Sequence, residues 1–138
     1  MVEDNEFNHE LYKDAFTFVG FDVTILPNAD GPFVDTVATL KPDIISMDIM
    51  MGKDGIGAVH DGFSALELLK DDPRTADIPV FMLTNFYEEG KVERAHELKA
   101  ADFINLAGQK IQRIPEHFLR YIEDPKHYEP VHPMFKNI

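Results

Sequence analysis

Asp43-Ile44-Ile45-Ser46-Met47-Asp48 decides the fold. The run is short, largely apolar and bounded by carboxylates, without the strict alternation that one wet face would impose. It reads as a strand buried on both faces, as a parallel sheet requires, with any chemistry at its C-terminal end. Pro79-Val80-Phe81-Met82-Leu83-Thr84 is a second run of this kind, Asp102 to Asn105 a shorter third, and Phe21 to Leu26 is also strand-like. Helical spacing fills the intervals. Phe7, Leu11, Ala15 and Phe18 recur at helical intervals before Gly20 stops the helix. Pro32 opens a stretch carrying Phe33, Val37 and Leu40, which closes at Lys41-Pro42 because proline disfavours a helical predecessor. Ala65, Leu66, Leu68 and Leu69 give the helix resuming near Phe63 a broad apolar face, ended by Asp71-Asp72-Pro73. Val92, Ala95 and Leu98 mark another, and Ile114 to Ile122, begun near Pro115, the last. Strands alternating with helices predict an α/β fold, a doubly wound parallel sheet with helices on both faces and ligands bound beyond the strand C-termini.

The chain of 138 residues has room for one domain, expected over 1–124, followed by an irregular Pro-rich tail over 125–138. With no cysteine, disulfides and thiolate metal sites are excluded. A formal charge of -12 argues against binding nucleic acid or anionic membranes and favours basic partners or divalent cations. No apolar stretch approaches the roughly 18 residues of a membrane span, and the acidic N-terminus lacks a signal-peptide pattern, so a cytoplasmic protein is expected. His127 and His132 lack the carboxylate or Cys neighbourhood of a metal site, and His60 beside Asp61 is noted only for its place near the loop from Met51 to Val59.

Glu3-Asp4 before the first helix, Asp48 ending one strand and Thr84-Asn85 ending the next converge on one edge of such a sheet. Singly, each has a bland reading: a solvated N-terminus, a turn or helix-cap Asp, a strand-terminal Thr. Together with Gly20-Phe21-Asp22-Val23, Lys41-Pro42-Asp43, Met47-Asp48-Ile49-Met50-Met51, Asp61-Gly62-Phe63 and Met82-Leu83-Thr84-Asn85, the pattern over residues 2 to about 122 resembles the response-regulator receiver domain, which is flavodoxin-like. The resemblance implies that Asp48 is a phosphoacceptor and that Glu3, Asp4, Asp48 and the backbone carbonyl of Met50 hold Mg²⁺. A carboxylate attacking a dianionic phosphoryl group needs a divalent cation to offset repulsion, and Mg²⁺ suits a few carboxylates plus water. It also implies that Thr84 contacts the phosphoryl group and that Phe103 is the aromatic that moves with it, although an aromatic in a strand is ordinarily plain core. Clustered acids should raise at least one pKa among them.

Two departures from the family stand out. Only Met1 and Val2 precede Glu3, so the central first strand is absent or replaced, and a rearranged sheet or a homo-oligomer, formed by segment exchange, is expected. Where the family carries a Lys after its last strand, this chain has Leu106, and Lys110 is the nearest substitute. The loop between Asp48 and Asp61-Gly62 is also longer than usual and brings Lys53, Asp54 and His60 toward the site. The function implied is a stand-alone receiver, not an enzyme beyond self-dephosphorylation, taking its phosphoryl group from a histidine kinase or phosphotransfer protein and signalling to a downstream protein. The alternative is a phosphorylation-independent pseudo-receiver, an interaction module. A hydrolase using Asp48 is disfavoured because Met50 stands where a general acid would be needed.

Overall fold

A computed structural model of the chain describes residues 1–51, 60–85 and 88–136. Lys53 and Asp54 lie outside the described residues. The strands are β1 (Ile45–Asp48), β2 (Val80–Thr84) and β3 (Asp102–Asn105), all parallel in the order β1-β2-β3. β1 and β2 are buried on both faces, as their unbroken apolar character requires. The helices are α1 (Glu6–Phe18), α2 (Phe33–Leu40), α3 (Gly62–Lys70), α4 (Glu89–Glu97) and α5 (Ile114–Glu123). One apolar cluster joins α2, α3 and α4 to Met47, Met82 and Phe103 of the sheet. A second, on the opposite face, joins Tyr12 and Phe16 of α1 and Phe118 of α5 to Phe81, Leu83 and Ile104. The fold is therefore the flavodoxin-like, doubly wound arrangement.

Local signals set the ends of the helices. Asn5 Oδ1 accepts the Phe7 N–H at 3.0 Å to cap α1. Gly20, at φ 102°, carries the chain away from it in a conformation that a side chain would strain. Lys41 ends α2 at φ 49°, ψ 56°, its N–H reaching Val37 O at 3.0 Å, and Pro42 then prevents continuation.

The face of α1 differs from the sequence expectation. Tyr12 and Phe16 are buried, whereas Phe7 and Phe18 are 90% and 91% exposed. Two apolar stripes compete on this helix, and the one whose aromatics meet α5 wins: the Phe16 and Phe118 rings pack edge-on at 4.9 Å.

Among the described residues, no full strand stands beside β1 before α1; a short bridge at Val2 takes its place, and the expected rearrangement of the sheet does not occur. Val2 is bridged in parallel to Met47 on one side and to Leu26 on the other. Its N–H donates to Ser46 O at 2.8 Å and its carbonyl accepts the Asp48 N–H at 3.0 Å. Glu3 N–H to Leu26 O (3.0 Å) and Leu26 N–H to Met1 O (2.8 Å) complete the wedge. Three residues hold the position of a central strand because both neighbours bond them, so the sheet keeps its order without rearrangement. Of the strand-like run Phe21 to Leu26, only Leu26 pairs.

Among its described residues the tail carries no regular element beyond the turn Pro133–Phe135, yet it is anchored. The buried Asp102 carboxylate accepts from Tyr128 Oη (2.6 Å), Val131 N (2.7 Å) and His132 N (3.2 Å). Phe135 packs into the core beside His96 of α4, with ring centroids 5.3 Å apart.

Candidate functional site

The wedge of residues 1–3 delivers Glu3 and Asp4 to the C-terminal edge of the sheet, where β1 ends in Asp48. One carboxylate oxygen from each of Glu3, Asp4 and Asp48 lies within 4.8 Å of the other two, and among the described residues this is the one cluster of acids and histidines with metal-holding geometry. A small cleft surrounds it, completed by Asn5, Asn8, Met50, Asn85 and Leu106. A hard divalent cation suits this donor set: carboxylate oxygens, amide oxygens nearby and little else.

The acids are held close at an electrostatic cost. Asp48 is pushed up to about 8, first by burial, then by the charge of Glu3 and a hydrogen bond with Asp4. The Met50 N–H, donating to Asp48 Oδ1 at 3.2 Å, works against that rise. Burial also raises Glu3, opposed chiefly by the Asn5 N–H at 3.1 Å from Oε1. Tyr12, beneath the cluster, is raised by burial and then by the charges of Glu3 and Asp48. Such strain is what a bound cation relieves.

Gly62 fixes how closely α3 approaches the strand that ends in Asp48. A Cβ there would stand 2.3 Å from Asp48 O and 2.7 Å from Ile49 Cα, so only glycine fits. The contact is sealed by Gly62 N–H to Ile49 O at 3.0 Å, and Asp61 caps α3 through Ser64 N at 2.8 Å. His60 Nδ1 lies 2.7 Å from Ser64 Oγ of α3.

The remaining expected residues fall as follows. Thr84 ends β2 one step beyond Leu83, the partner of Asp48, and is 1% exposed, while its carbonyl accepts the Leu106 N–H at 2.7 Å. Phe103 is buried in the core on the α4 side, with His132 of the tail 6.1 Å from its ring. Leu106 lines the cleft, whereas Lys110 is exposed at the start of the turn Ile111–Arg113 and is not among the lining residues. Sequence reasoning missed Asn5 and Asn8, which read as the polar start of a helix, and Lys91 of α4, whose Nζ reaches Met50 Sδ at 3.6 Å.

A parallel α/β sheet with three acids gathered beyond its strand ends is the arrangement that the known relatives share in fold. The chain belongs to the response regulator receiver domain family, whose model matches residues 1–110. The polar-differentiation response regulator DivK of Brucella ovis is 32% identical over 97 residues, covering 70% of this chain and 73% of that one. The receiver domain of a signal transduction histidine kinase from Syntrophus aciditrophicus superposes with a TM-score of 0.69 at 27% identity, over 95% of this chain and 93% of that chain. The receiver domain of a sensor histidine kinase from Pseudomonas aeruginosa PAO1, with a magnesium ion coordinated in its active site cleft, gives 0.71 at 24% identity, over 89% and 94%. Among the described residues, no helix is long and apolar enough to cross a membrane.

Proposed function

We propose that the chain accepts a phosphoryl group on Asp48 from a phosphohistidine of a histidine kinase or phosphotransfer protein, and signals through contacts of the receiver itself. The convergence of Glu3, Asp4 and Asp48 within 4.8 Å is the observation that supports this reading best. Asp48 Oδ attacks phosphorus, the N–P bond breaks, and the imidazole leaves with the bonding pair, giving an acyl phosphate on Asp48. Mg²⁺, held by Glu3, Asp4, Asp48 and the Met50 carbonyl, would neutralise charge on the transferring group. Asp48 must be ionised to attack, so its raised affinity for protons keeps the free site inactive until cation binding lowers it. Thr84 is the contact for a phosphoryl oxygen, with Phe103 as the aromatic that responds, and the exposed Phe7 and Leu11 offer an apolar face on α1 beside the site for a phosphodonor.

The test is incubation with acetyl phosphate and Mg²⁺ followed by intact-mass measurement. The chain gains one phosphoryl mass, and Asp48→Asn or chelation prevents it. Absence of the adduct in the unaltered chain at millimolar metal sinks the reading.

Leu106 supports a second reading, the pseudo-receiver that acts without phosphorylation. It occupies the cleft where the family's Lys would pair with the phosphoryl group. Losing that charge-assisted contact weakens the phosphorylated state by about 1.5 to 3 kcal/mol. Under this reading the mass is unchanged and partner binding is insensitive to acetyl phosphate.

A further inference from the structure

Leu106 stands in the cleft where the family lysine would be, and Lys110 is not among the lining residues. A cation nevertheless lies one side chain away from Asp48. Met50 joins the two: its N–H donates to Asp48 Oδ1 at 3.2 Å, and its Sδ accepts from Lys91 Nζ of α4 at 3.6 Å. Met50 also lines both the acidic cleft and the neighbouring groove that Lys91 borders, so it is the wall between them.

Lys91 is held there by weak partners. An ammonium has three N–H groups to satisfy, and a thioether is a poor acceptor for any of them. Among the described residues its other contact is the Glu88 carboxylate at 3.8 Å, too long for a hydrogen bond. Lysine ordinarily buries its stem and keeps its charged head in water. The Lys91 side chain is instead only 18% exposed, against 68% for Glu88, so it is the carboxylate and not the ammonium that faces solvent. A cation drawn in from water and poorly bonded exchanges readily for a stronger acceptor.

We propose that Lys91 is the phosphoryl-binding cation of this chain: it leaves Met50 Sδ and pairs with an oxygen of the phosphoryl group on Asp48. The inference rests on the phosphoacceptor reading and supplies the contact that Leu106 takes away from it. A phosphoryl oxygen carries negative charge and accepts a charge-assisted bond, so it outcompetes the thioether. Met50 can give way, because an unbranched thioether side chain swings aside while its own N–H stays on Asp48. The cation then comes from α4, which follows β2, and not from the segment after β3. Occupancy of Asp48 is thereby tied to the position of α4.

The probe is beryllofluoride, which with Mg²⁺ stands in for the phosphoryl group, titrated into the ¹⁵N-labelled full chain. Amide shifts at Asp48 and Thr84 give the affinity, and the Lys91 Nζ resonance reports the contact. In the unaltered chain that resonance should move on adding beryllofluoride and not on adding Mg²⁺ alone. Lys91→Met, which keeps the length and loses the charge, should weaken beryllofluoride binding about tenfold or more. Mg²⁺ alone should bind the variant at least as tightly as the unaltered chain, because a like charge has been removed, and this also shows that the variant is folded. Lys91→Arg should keep most of the affinity, and Lys91→Met joined to Leu106→Lys should recover it. Equal beryllofluoride affinity with and without Lys91, or a loss matched by an equal loss of Mg²⁺ affinity, overturns the assignment and leaves the phosphoacceptor reading standing. No beryllofluoride complex in the unaltered chain overturns both.

Discussion

Asp48 stays protonated far above the pH at which a free carboxyl ionises, and the sign of its effect on stability follows. Its folded-state pKa, about 8, exceeds the unfolded value, so the native state binds more protons. The resulting stabilisation is complete below about pH 4 and is lost as pH rises through about 8. Discounted for partial solvent access, the metal-free chain should lose about 1 to 3 kcal/mol across that window by urea denaturation, and Asp48→Asn should flatten the loss. Millimolar Mg²⁺ should restore stability at pH 8 and not at pH 4, because the cation binds the ionised carboxylates.

Gly62 and Leu106 are the other residues on which the site turns. Gly62→Ala forces a Cβ into the backbone of Asp48 and Ile49, and should cost about 1 to 3 kcal/mol by thermal unfolding while weakening metal binding. Leu106→Lys returns a cation to the cleft and should tighten binding of beryllofluoride about tenfold or more, read by amide shifts at Asp48 and Thr84. Asp48 was legible in the sequence because its strand is apolar up to a single terminal acid. The asparagines were not, since a polar residue at a helix start looks the same whether or not it faces a site.

At the scale of elements, buried strands were the clearest signal. Runs such as Val80 to Thr84 contain no wet face, so only a parallel, doubly covered position satisfies them. The orientation of α1 was not legible, because Phe7-Leu11-Phe18 and Tyr12-Phe16 both recur at helical spacing and only the partner surface on α5 chooses between them. The tail was equally opaque. Its hold depends on Asp102, whose partners in the tail lie 26 to 30 residues away along the chain. Asp102→Ala strips four donors, Phe103 N, Tyr128 Oη, Val131 N and His132 N, of their acceptor and should cost about 2 to 5 kcal/mol, with faster amide exchange at Val131 and His132 as the local signature. A variant with unchanged exchange in the tail would show that Phe135 alone holds it.

For the whole molecule, the central strand decides how site and scaffold connect. Residues 1–3 serve at once as the link between β1 and Leu26 and as the arm that carries two of three acids, so any change that loosens Val2 from Met47 and Leu26 also scatters the acidic cluster. The sequence pattern pointed to the absence of a full strand; it could not show that a wedge bonded on both sides keeps the order β1-β2-β3, since that depends on contacts between distant segments. The family identity and the three-acid cluster were both legible, because Asp48 closes a recognisable strand and Glu3-Asp4 stands as a paired acid just before the first helix.

The account rests on one shared binding point for Glu3, Asp4 and Asp48. Paramagnetic broadening by Mn²⁺ in the ¹⁵N-labelled chain tests it most directly. Resonances of residues 3–5, 48–50 and 85 should broaden first and recover on adding excess Mg²⁺, and Asp48→Asn should weaken the effect. Broadening centred on any other acidic surface, or spread evenly over the chain, would contradict it.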